Sequence, residues 1–266
     1  MNILDKIVAH KRTEVAEAKA RQTIADLERS ENFKLPVRSL AASLKKDSST
    51  GIIAEFKRKS PSKGFIKENA DVTEITSAYT KFGAAGLSVL TDEIFFGGSK
   101  NDLLQARNND IPILRKDFIV DEYQIVEAKS LGADVILLIA ACLSPGEVRH
   151  LAKAASALGL ESILELHAEE ELEHVCDEVT MVGINNRDLK TFNVDIERSL
   201  RMAEQLPAGK IKIAESGIDK VADILLFRQN GFKGFLIGEY FMRQTDTPKA
   251  FEEFVSQLRS VISANQ

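Results

Sequence analysis

Eight short apolar runs, each followed by a segment of helical pattern, predict an α/β protein of the (β/α)8 class, the TIM barrel, with an N-terminal helical extension. The runs end near Lys57, Thr91, Lys116, Ala140, Glu165, Asn185, Glu215 and Gly238. The intervals of about 20 to 34 residues between these ends can hold one helix and two short loops. Several runs are apolar on both faces, as are parallel strands covered by helices. Eight strand–helix units close such a barrel, whose usual size is about 250 residues.

Residues 1–48 precede the first run, and we expect them to pack on the barrel, because about 45 residues rarely hold a core of their own. The stretch ILDKIVAHKRTEVAEAKA places Leu4, Val8 and Val15 on one helical stripe. Shorter helices are predicted over 23–28 and 37–44. We therefore expect a single domain that spans residues 1–266.

Helix boundary signals fill the intervals between the runs. Ser144, Pro145 and Glu147 are typical of an N-cap, a first helical residue and the acidic member of a capping box. An aspartate precedes four helical patterns, where its carboxylate can accept unpaired N–H groups. These aspartates are Asp71, Asp121, Asp195 and Asp219. The glycines that follow helical patterns, as C-terminal caps do, are Gly83, Gly132, Gly159 and Gly231.

The composition excludes several classes of function. The net charge of −5, with 44% hydrophobic and 28% charged residues, is that of an ordinary globular protein. This charge gives no basic footprint for nucleic acid or an anionic membrane. No apolar run approaches the roughly 20 residues that span a bilayer, and the charged N-terminus is unlike a signal peptide. We expect a cytoplasmic monomer that binds neither nucleic acid nor membrane.

The cysteines and histidines do not predict a disulfide or a metal site. Cys142 and Cys176 are the only cysteines, and we interpret them as reduced structural thiols. The histidines, which lack metal-ligand spacing, are His10, His150, His167 and His174. We therefore expect neither a metal nor a cofactor.

Polar residues at the strand ends are the candidates for chemistry. In GIIAEFKRKSPS, Glu55 and Lys57 lie two residues apart, so both point to the face that carries Ile53. A carboxylate and an ammonium group on a buried face are costly unless they bind a polar ligand or do chemistry. In a barrel, the carboxyl ends of the strands form the face on which active sites are built. The other candidates at these ends are Lys116, Glu165, Asn185, Arg187, Glu215 and Ser216.

Glutamates and lysines clustered at one barrel mouth favour acid–base catalysis. Burial weakens the acidity of a glutamate, whereas a lysine among cations or apolar walls loses its proton more readily. Both pKa shifts would bring the groups towards proton exchange at neutral pH. The alternative is a structural ion-pair network at the mouth.

The loops after the seventh and eighth runs, AESGID and LIGEYFM, predict a phosphate site. Barrels of this class bind phosphate there through backbone N–H groups and a helix N-terminus. Gly217 and Gly238 allow the backbone to approach an anion closely. The carboxylate of Glu239 must point away from a phosphate, so we expect only its backbone N–H to contribute.

The loop RKSPSKGFI after the first run is a candidate clamp over the mouth. Ser60 and Ser62 offer hydroxyl groups, and Pro61 stiffens the loop. Phe118 and the stretch FFGG that begins at Phe95 supply apolar rings that could wall an aromatic substrate. The alternatives are a basic solvated turn and ordinary core packing.

Motifs along the whole chain occur in the order of one known family. They are AEFKRKSPSKG, VLTDEIFFGGS, LRKDFIVDEYQI, GADVILLIAA, LELH, GINNRDL, AESGI and LIGEYFMR. In these motifs the chain resembles indole-3-glycerol phosphate synthase, whose extra helical segment the first residues also resemble. The resemblance implies closure of an indole ring in tryptophan biosynthesis. The substrate would be 1-(2-carboxyphenylamino)-1-deoxyribulose 5-phosphate, which loses carbon dioxide and water.

The resemblance also implies catalytic roles for particular residues. Lys116 would be the general acid on the ketone oxygen, and Glu165 would be its partner in the proton transfers of dehydration. Lys57 would bind anionic groups of the substrate and share in acid catalysis. The residues implied to hold the reacting centre and its hydroxyl groups are Glu55, Asn185 and Glu215.

Substrate binding is implied for a second group of residues. Arg187 would position Asn185 and nearby anions, and Ser60 would contact the carboxylate on the aromatic ring. The residues implied at the phosphate are Ser216, Gly217, Gly238 and Glu239, the last through its backbone. The partner is thus expected to be a phosphorylated small molecule.

Two other functions remain open from the sequence. One is a related phosphate-binding barrel isomerase that acts on a phosphoribosyl anthranilate or imidazole intermediate, although such isomerases usually lack the long N-terminal helix and the KRKSPS loop. The other is a non-catalytic barrel that binds a phosphorylated metabolite. The presence of Lys57, Lys116 and Glu165 together argues against the second, because binding alone does not require a poised acid and base.

Overall fold

The chain closes into a barrel of eight parallel strands in the computed structural model, which describes residues 3–61, 63–188 and 193–264. The strands are β1 (Ile52–Phe56), β2 (Gly86–Leu90), β3 (Ile113–Lys116), β4 (Val135–Ile139), β5 (Glu161–Leu166), β6 (Met181–Asn185), β7 (Ile211–Glu215) and β8 (Phe232–Ile237). Consecutive strands are neighbours, and β1 pairs with β8 to close the barrel. The predicted TIM barrel is confirmed, and each strand ends within one residue of its predicted end.

Helices surround the barrel in most of the segments where the sequence predicts them, but the interval between β5 and β6 holds a 3-10 turn in place of the predicted helix. They are α1 (Ile3–Arg21), α2 (Ile24–Glu28), α3 (Leu40–Lys45), α4 (Val72–Phe82), α5 (Glu93–Phe96), α6 (Lys100–Ala106), α7 (Glu122–Ser130), α8 (Pro145–Ala157), α9 (Ile196–Glu204), α10 (Val221–Gln229), α11 (Glu239–Met242) and α12 (Thr247–Ala264). Short 3-10 turns cover 32–34, 140–142 and 169–174, and a small hairpin pairs 59–60 with 64–65.

Side chains of each strand alternate between two apolar layers. The inward positions, which fill the barrel, include Ile53, Leu114, Leu137, Ile163, Met181, Ile213 and Leu236. The outward positions, such as Ile52, Leu87 and Val182, pack under the helices. Because inward and outward positions alternate, a polar residue two positions beyond an inward one also points into the barrel. This alternation carries the candidate side chains to the mouth.

The N-terminal segment contacts the barrel through α1 and α3. Leu40 on α3 is fully buried and packs on Gly86, where a Cβ atom would lie 2.6 Å from Leu40 Cδ1. On α1 the buried stripe is Ile7, Lys11 and Val15. Of the residues predicted to share one stripe with Val15, Leu4 and Val8 are only half-buried, and Leu4 packs against the inner apolar cluster of the barrel.

Lys11 is a fully buried cation between α1 and the barrel. Its Nζ atom lies 3.0 Å from Asp92, 2.9 Å from Asp117 and 2.8 Å from Glu14. Burial lowers the pKa of Lys11, but Asp117 and Asp92 outweigh it and raise the pKa above its usual value. Asp117 also pairs with Arg115 at 3.0 Å. Arg115 and Lys11 outweigh the effect of burial and lower the pKa of Asp117 to about 2. This network joins α1 to the residues that follow β2 and β3.

The predicted helix caps are confirmed with one exception. The Ser144 hydroxyl accepts the N–H of Glu147, whose carboxylate accepts the N–H of Ser144 at 2.7 Å. The aspartates that cap helices as predicted are Asp71, Asp121 and Asp195. Asp219 does not, because α10 begins one residue later and Asp223 accepts the N–H groups of Asp219 and Lys220. The predicted glycine caps, all at positive φ, are Gly83, Gly132, Gly159 and Gly231.

Replacement of Lys11 by methionine is expected to lower the free energy of unfolding by about 3–5 kcal/mol, because Asp92 and Asp117 lose a buried cation. Urea unfolding followed by circular dichroism measures the change. Lys6→Met, at an exposed position of α1, is the matched control, with an expected change within about 0.5 kcal/mol. A loss below about 1 kcal/mol for Lys11→Met would contradict the stabilising role of this network.

Candidate active site

A cavity of about 1270 Å³ opens at the carboxyl ends of the strands. The catalytic and binding residues proposed from the sequence line it, namely Glu55, Lys57, Ser60, Pro61, Lys116, Phe118, Glu165, Asn185, Arg187, Glu215, Ser216, Gly217, Gly238 and Glu239. Of the two rings in the FFGG stretch, Phe96 lines the cavity, whereas Phe95 packs against His10. Ser62 lies outside the described residues. The closed barrel thus brings the proposed residues to one place, while their catalytic and binding roles remain predictions.

Four ionisable side chains form one layer across the mouth. They come from β1, β3, β5 and β7, the alternate strands that share a layer in such a barrel. These residues are Glu55, Lys116, Glu165 and Glu215. Gly183 on β6 leaves the space that the layer needs, because a Cβ atom there would lie 2.1 Å from Glu215 Oε1.

Lys116 is shared between two buried carboxylates. Its Nζ atom lies 3.0 Å from Oε2 of Glu165 and 3.0 Å from Oε2 of Glu215. Burial lowers the pKa of Lys116, but Glu165, Glu215 and Glu55 outweigh it and raise the pKa above its usual value. The expectation of a lowered lysine pKa is therefore wrong for Lys116, since its neighbours are carboxylates rather than cations. Lys116 is charged in this site and can serve as a proton donor.

The Glu165 carboxylate accepts hydrogen bonds from Lys116 and Asn185 and lies at ion-pair distance from His167, whose ring nitrogens have no aligned hydrogen-bond partner among the described residues. Besides Lys116, Asn185 Nδ2 lies 2.9 Å from Glu165 Oε1, and His167 Nε2 lies 2.9 Å from the same oxygen. Burial raises the pKa of Glu165, but Lys116, His167 and Asn185 together hold it well below its usual range. The expectation that burial weakens the acidity of a site glutamate is wrong at this position.

At Glu215 the effect of burial on the pKa outweighs that of the neighbouring lysine. Burial is the largest influence and raises its pKa to about 7, with Lys116 opposing the shift and Glu165 adding to it. Its Oε1 atom is buried and has no hydrogen-bond partner among the residues that the structure describes. The expectation of a weakened glutamate acid is confirmed here. Two carboxylates on one lysine thus differ in proton affinity.

A second ion pair lies beside this cluster on β1. Lys57 Nζ is 2.8 Å from Glu55 Oε1, and the Ser88 hydroxyl donates to Glu55 Oε2 at 3.2 Å. Burial raises the pKa of Glu55, but Lys57 and Lys116 outweigh it, so the pKa lies below its usual value. The prediction that Glu55 and Lys57 point into the mouth together is confirmed.

Asn185 and Arg187 continue the layer on the β6 side. Asn185 Oδ1 accepts the backbone N–H of Arg187 at 3.0 Å. This bond fixes the amide so that its Nδ2 atom donates to Glu165. Arg187 Nη2 lies 3.9 Å from Glu239 Oε2. The arginine therefore links the reacting cluster to the loop after β8.

The turn after β7 presents backbone groups to the cavity. Ser216 and Gly217 both have φ of 69°, and Ser216 is the only non-glycine residue of the described chain with positive φ. Such strained backbone persists at ligand sites. A Cβ atom on Gly217 would lie 2.6 Å from Val194 Cγ1, and one on Gly238 would lie 2.7 Å from Glu55 Cβ. Both glycines are therefore required by space, and Gly217 is required by its conformation as well.

Glu239 holds cations at this end of the cavity. Its carboxylate pairs with Lys63 of the β1 loop and lies near Arg187. Burial raises the pKa of Glu239, but Lys63, Lys57 and Arg187 hold it below its usual value. The expectation that only the backbone N–H of Glu239 matters is too narrow, because the side chain orients the positive groups.

The opposite end of the cavity is apolar. The rings of Phe96 and Phe118 lie 5.9 Å apart and are tilted by 41°. Leu137 and Ile139 line the cavity from β4, and α1 contributes Ile7. The cavity therefore has an end lined by cations and loop glycines, a charged centre and an apolar end.

The loop after β1 is anchored at its base. Arg58 donates to Asp102 at 2.5 and 2.9 Å, and its guanidinium lies 4.7 Å from the centre of the Phe56 ring. Ser60 lines the cavity, and its buried Oγ atom has no hydrogen-bond partner within the described ranges. A hydroxyl group held this way is suited to a polar group of a ligand.

His167 and residues of α1 line the cavity although the sequence analysis did not select them. His167 lies two residues beyond Glu165, so strand alternation alone could have placed it inside. The α1 residues Ile3, Leu4 and Ile7 carried no such signal, because an apolar helical residue is usually core.

The part of the chain that the structure describes contains no group of three or more histidine, cysteine, aspartate or glutamate side chains arranged to hold a metal ion. None of its helices is long and apolar enough to cross a membrane.

Fold and site together are those of a (β/α)8-barrel enzyme with buried charged groups clustered at the carboxyl ends of its strands. The family model of indole-3-glycerol phosphate synthase matches residues 4–254. The indole-3-glycerol phosphate synthase of Bacteroides thetaiotaomicron is 46% identical over 259 residues, which cover 97% of this chain and 99% of the relative. That of Bordetella pertussis is 44% identical over 250 residues, covering 92% and 95%. The chain belongs to the indole-3-glycerol phosphate synthase family.

Solved structures agree on the fold. A tryptophan synthase complex from Pyrococcus furiosus matches 79% of this chain and 97% of its own, with a TM-score of 0.59 and 14% identity. A mutant tryptophan synthase alpha-subunit from the same organism matches 79% and 98%, with a TM-score of 0.61 and 13% identity. At this identity the likeness shows the barrel fold alone.

Replacement of Glu215 by glutamine is expected to change how stability depends on pH. A glutamate of ordinary pKa 4.5 that titrates at about 7 when folded contributes stability below pH 4.5, which is lost as the pH rises towards 7. Glu215→Gln removes that loss, so its stability should rise relative to the parent chain by about 2–3 kcal/mol across this window.

Urea unfolding at pH 4.5, 5.5, 6.5 and 7.5 measures the difference. Glu252→Gln, at an exposed position of α12, is the control and should track the parent chain. A Glu215→Gln difference that does not vary with pH would contradict the raised pKa.

Proposed function

We propose that this chain catalyses the reaction of its family in tryptophan biosynthesis. It closes the indole ring of 1-(2-carboxyphenylamino)-1-deoxyribulose 5-phosphate and releases carbon dioxide and water, as a carboxy-lyase. The observation that carries the proposal is Lys116 between two buried carboxylates, in a cavity with loop glycines after β7 and β8 on one side and apolar side chains from β4 and the loops after β2 and β3 on the other.

The proposed substrate matches the polarity of the cavity from end to end. Its phosphate would lie at the backbone N–H groups of Gly217 and Gly238, with Lys57 and Arg187 as counter-charges. Its aromatic ring would lie beside Phe118 at the apolar end. A grip on the phosphate, remote from the reacting carbons, can orient them for reaction.

Carbon–carbon bond formation is the first proposed step. The ring carbon that bears the carboxylate attacks the ketone carbon, and the carbonyl electron pair moves to oxygen. Lys116 Nζ gives that oxygen a proton, so a hydroxyl group forms. The donor is needed because an aromatic carbon is a weak nucleophile.

Carbon dioxide and water leave in the following steps. The carbon–carboxylate bond breaks, and its electron pair restores the aromatic ring without an external electron sink. Glu165 then takes a proton from the methylene carbon beside the new hydroxyl group. The hydroxyl group leaves as water with a proton from the cluster, for which Lys57 and Glu215 are the available donors.

The proposal also covers the binding partners, the oligomeric state and the cellular location of the enzyme. We expect a phosphorylated small molecule as the partner and neither nucleic acid nor membrane, in line with the net charge of −5. A monomer in the cytoplasm is consistent with two cysteines, Cys142 and Cys176, that form no disulfide.

The direct test is the rise in indole fluorescence after purified protein is mixed with the carboxyphenylamino-deoxyribulose phosphate. The parent chain should give the rise without added metal or nucleotide. Lys116→Met should lower kcat by a factor of about 10²–10⁴, the usual contribution of a general acid. Lys153→Met, at an exposed position of α8, should match the parent chain.

Other outcomes would redirect the proposal. Isomerisation of a phosphoribosyl substrate without release of carbon dioxide would indicate the isomerase. Tight binding of the substrate without turnover would indicate a binding barrel. Near-normal turnover by Lys116→Met would contradict the acid role of Lys116.

Replacement of Gly217 by alanine is expected to raise KM at least tenfold, with a smaller effect on kcat. The new Cβ atom would meet Val194 at 2.6 Å in a backbone with φ of 69°, which displaces the turn proposed to bind phosphate. Steady-state kinetics and inhibition by inorganic phosphate measure the change.

Gly146→Ala is the control for this change, since a Cβ atom there meets nothing within 4 Å. If Gly217→Ala left KM and phosphate inhibition unchanged, the phosphate would have to bind elsewhere.

A further inference from the structure

The His167 ring lies in the cavity wall between two carboxylates. It follows β5 directly and is only 6% exposed. Its Nε2 atom is 2.9 Å from Glu165 Oε1, and its Nδ1 atom is 4.0 Å from Glu171 Oε2. Neither ring nitrogen has an aligned hydrogen-bond partner within the described residues, so the contact with Glu165 is an ion pair when the imidazole is protonated. His167 therefore touches the proposed base of the reaction but not Lys116.

Glu165 and Glu215 lie at the same distance from Lys116 but differ in their other contacts. The Nζ distances are 3.0 Å to each, so Lys116 does not distinguish them. Glu165 has two further polar contacts, a hydrogen bond from Asn185 and the ion-pair contact with His167. Glu215 Oε1 is buried and, within the described chain, has no hydrogen-bond partner. Of the two further contacts of Glu165, only His167 can bring a positive charge.

His167 matters because the buried carboxylates of the site outnumber its lysines. Three buried carboxylates, Glu55, Glu165 and Glu215, face two lysines, and Lys57 pairs with the first of them. Carboxylates that share one cation cannot all ionise at low cost. A third cation beside one member of the pair determines which member stays ionised.

We propose that His167 is a positioning residue that keeps Glu165 ionised and thereby leaves the proton of the carboxylate pair on Glu215. Its catalytic consequence rests on the proposed function, whereas the location of the proton does not. Glu165 is then free to accept the methylene proton in dehydration. Glu215 holds a proton that can leave with the hydroxyl group as water.

The groups around the ring agree with this assignment. Burial lowers the pKa of His167, but Glu165, Glu171 and Glu215 outweigh it and raise the pKa above its usual value. Cys142 also lies near Glu165 and Glu171, but burial raises the pKa of its thiol to about 12, so it stays neutral. Lys116 thus contacts Oε2 of Glu165, and the group that can bring a second positive charge, at Oε1, is His167.

Glu171 holds the backbone of His167 in place. Its Oε2 atom accepts the backbone N–H of His167 at 2.6 Å and that of Ala168 at 3.3 Å. The same carboxylate stands behind the Nδ1 atom of the ring. The backbone of His167 is thus fixed by Glu171, and its ring lies between the carboxylates of Glu165 and Glu171.

Carbon-13 NMR of the full chain, with glutamate labelled at the carboxyl carbon, tests the location of the proton without substrate. Loss of a signal in Glu165→Gln and in Glu215→Gln assigns the two groups. In the parent chain Glu215 should titrate near neutral pH while Glu165 stays ionised to lower pH. Titration of Glu165 near neutral pH, with Glu215 ionised throughout, would overturn the proposal even if no His167 variant folds.

His167→Gln tests the cause, because glutamine can donate a hydrogen bond but carries no charge. The midpoint of Glu165 should rise by about one pH unit or more, and that of Glu215 should fall. His150→Gln removes an exposed histidine that pairs with Glu122 at 2.8 Å, and it should change neither midpoint. Unchanged midpoints in His167→Gln would overturn the proposal.

The pH dependence of kcat tests the catalytic consequence. The acid limb of the His167→Gln profile should move upward by the same amount as the Glu165 midpoint, with KM unchanged. Shifted NMR midpoints with an unmoved profile would sustain the location of the proton and would contradict Glu165 as the base. Absence of any turnover in the parent chain would instead refute the proposed function and leave the NMR result standing.

Discussion

The contact of one ammonium group with two buried carboxylates is the constraint on which the rest of the site depends. Lys116 reaches Glu165 and Glu215 only because β3, β5 and β7 end at the same height around a closed barrel. A register slip of one residue on β3 would turn Lys116 outward and leave both carboxylates buried without a cation. Because such a state costs several kcal/mol, these ion pairs favour the correct register of the closed barrel over a slipped one.

Much of the fold and the membership of the site follow from the sequence because both depend on strand alternation. Apolar runs of limited length specify strands, and parity within GIIAEFK or ILELH specifies which polar residue faces inward. Alternation does not reveal which residues of different strands meet across the barrel. For that reason the predicted direction of the Lys116 pKa shift is wrong. The shift depends on Glu165 and Glu215, which are 49 and 99 residues away in the chain.

Buried charge outside the strands was the second feature that the sequence did not reveal. Lys11 occupies an amphipathic helix, where a lysine is ordinarily a solvated residue. Its burial depends on Asp92 and Asp117, which follow two different strands and meet α1 only after the barrel forms. Because Asp117 adjoins Lys116 in the chain, the helix and the reacting centre share a segment of backbone. The position of α1 and the geometry of the mouth are therefore coupled through buried ion pairs.

The distribution of the charged layer along the chain has a consequence for folding. Glu55 and Lys116 belong to the first half of the strands, and Glu165 and Glu215 belong to the second. A half-barrel intermediate, of the kind that chains of this size can populate, would therefore hold a lysine without its two carboxylates, or the carboxylates without their lysine. Either half would keep water around these groups, and the last stage of folding would have to remove it. Activity would thus appear only when both halves have joined, which makes turnover a measure of complete assembly.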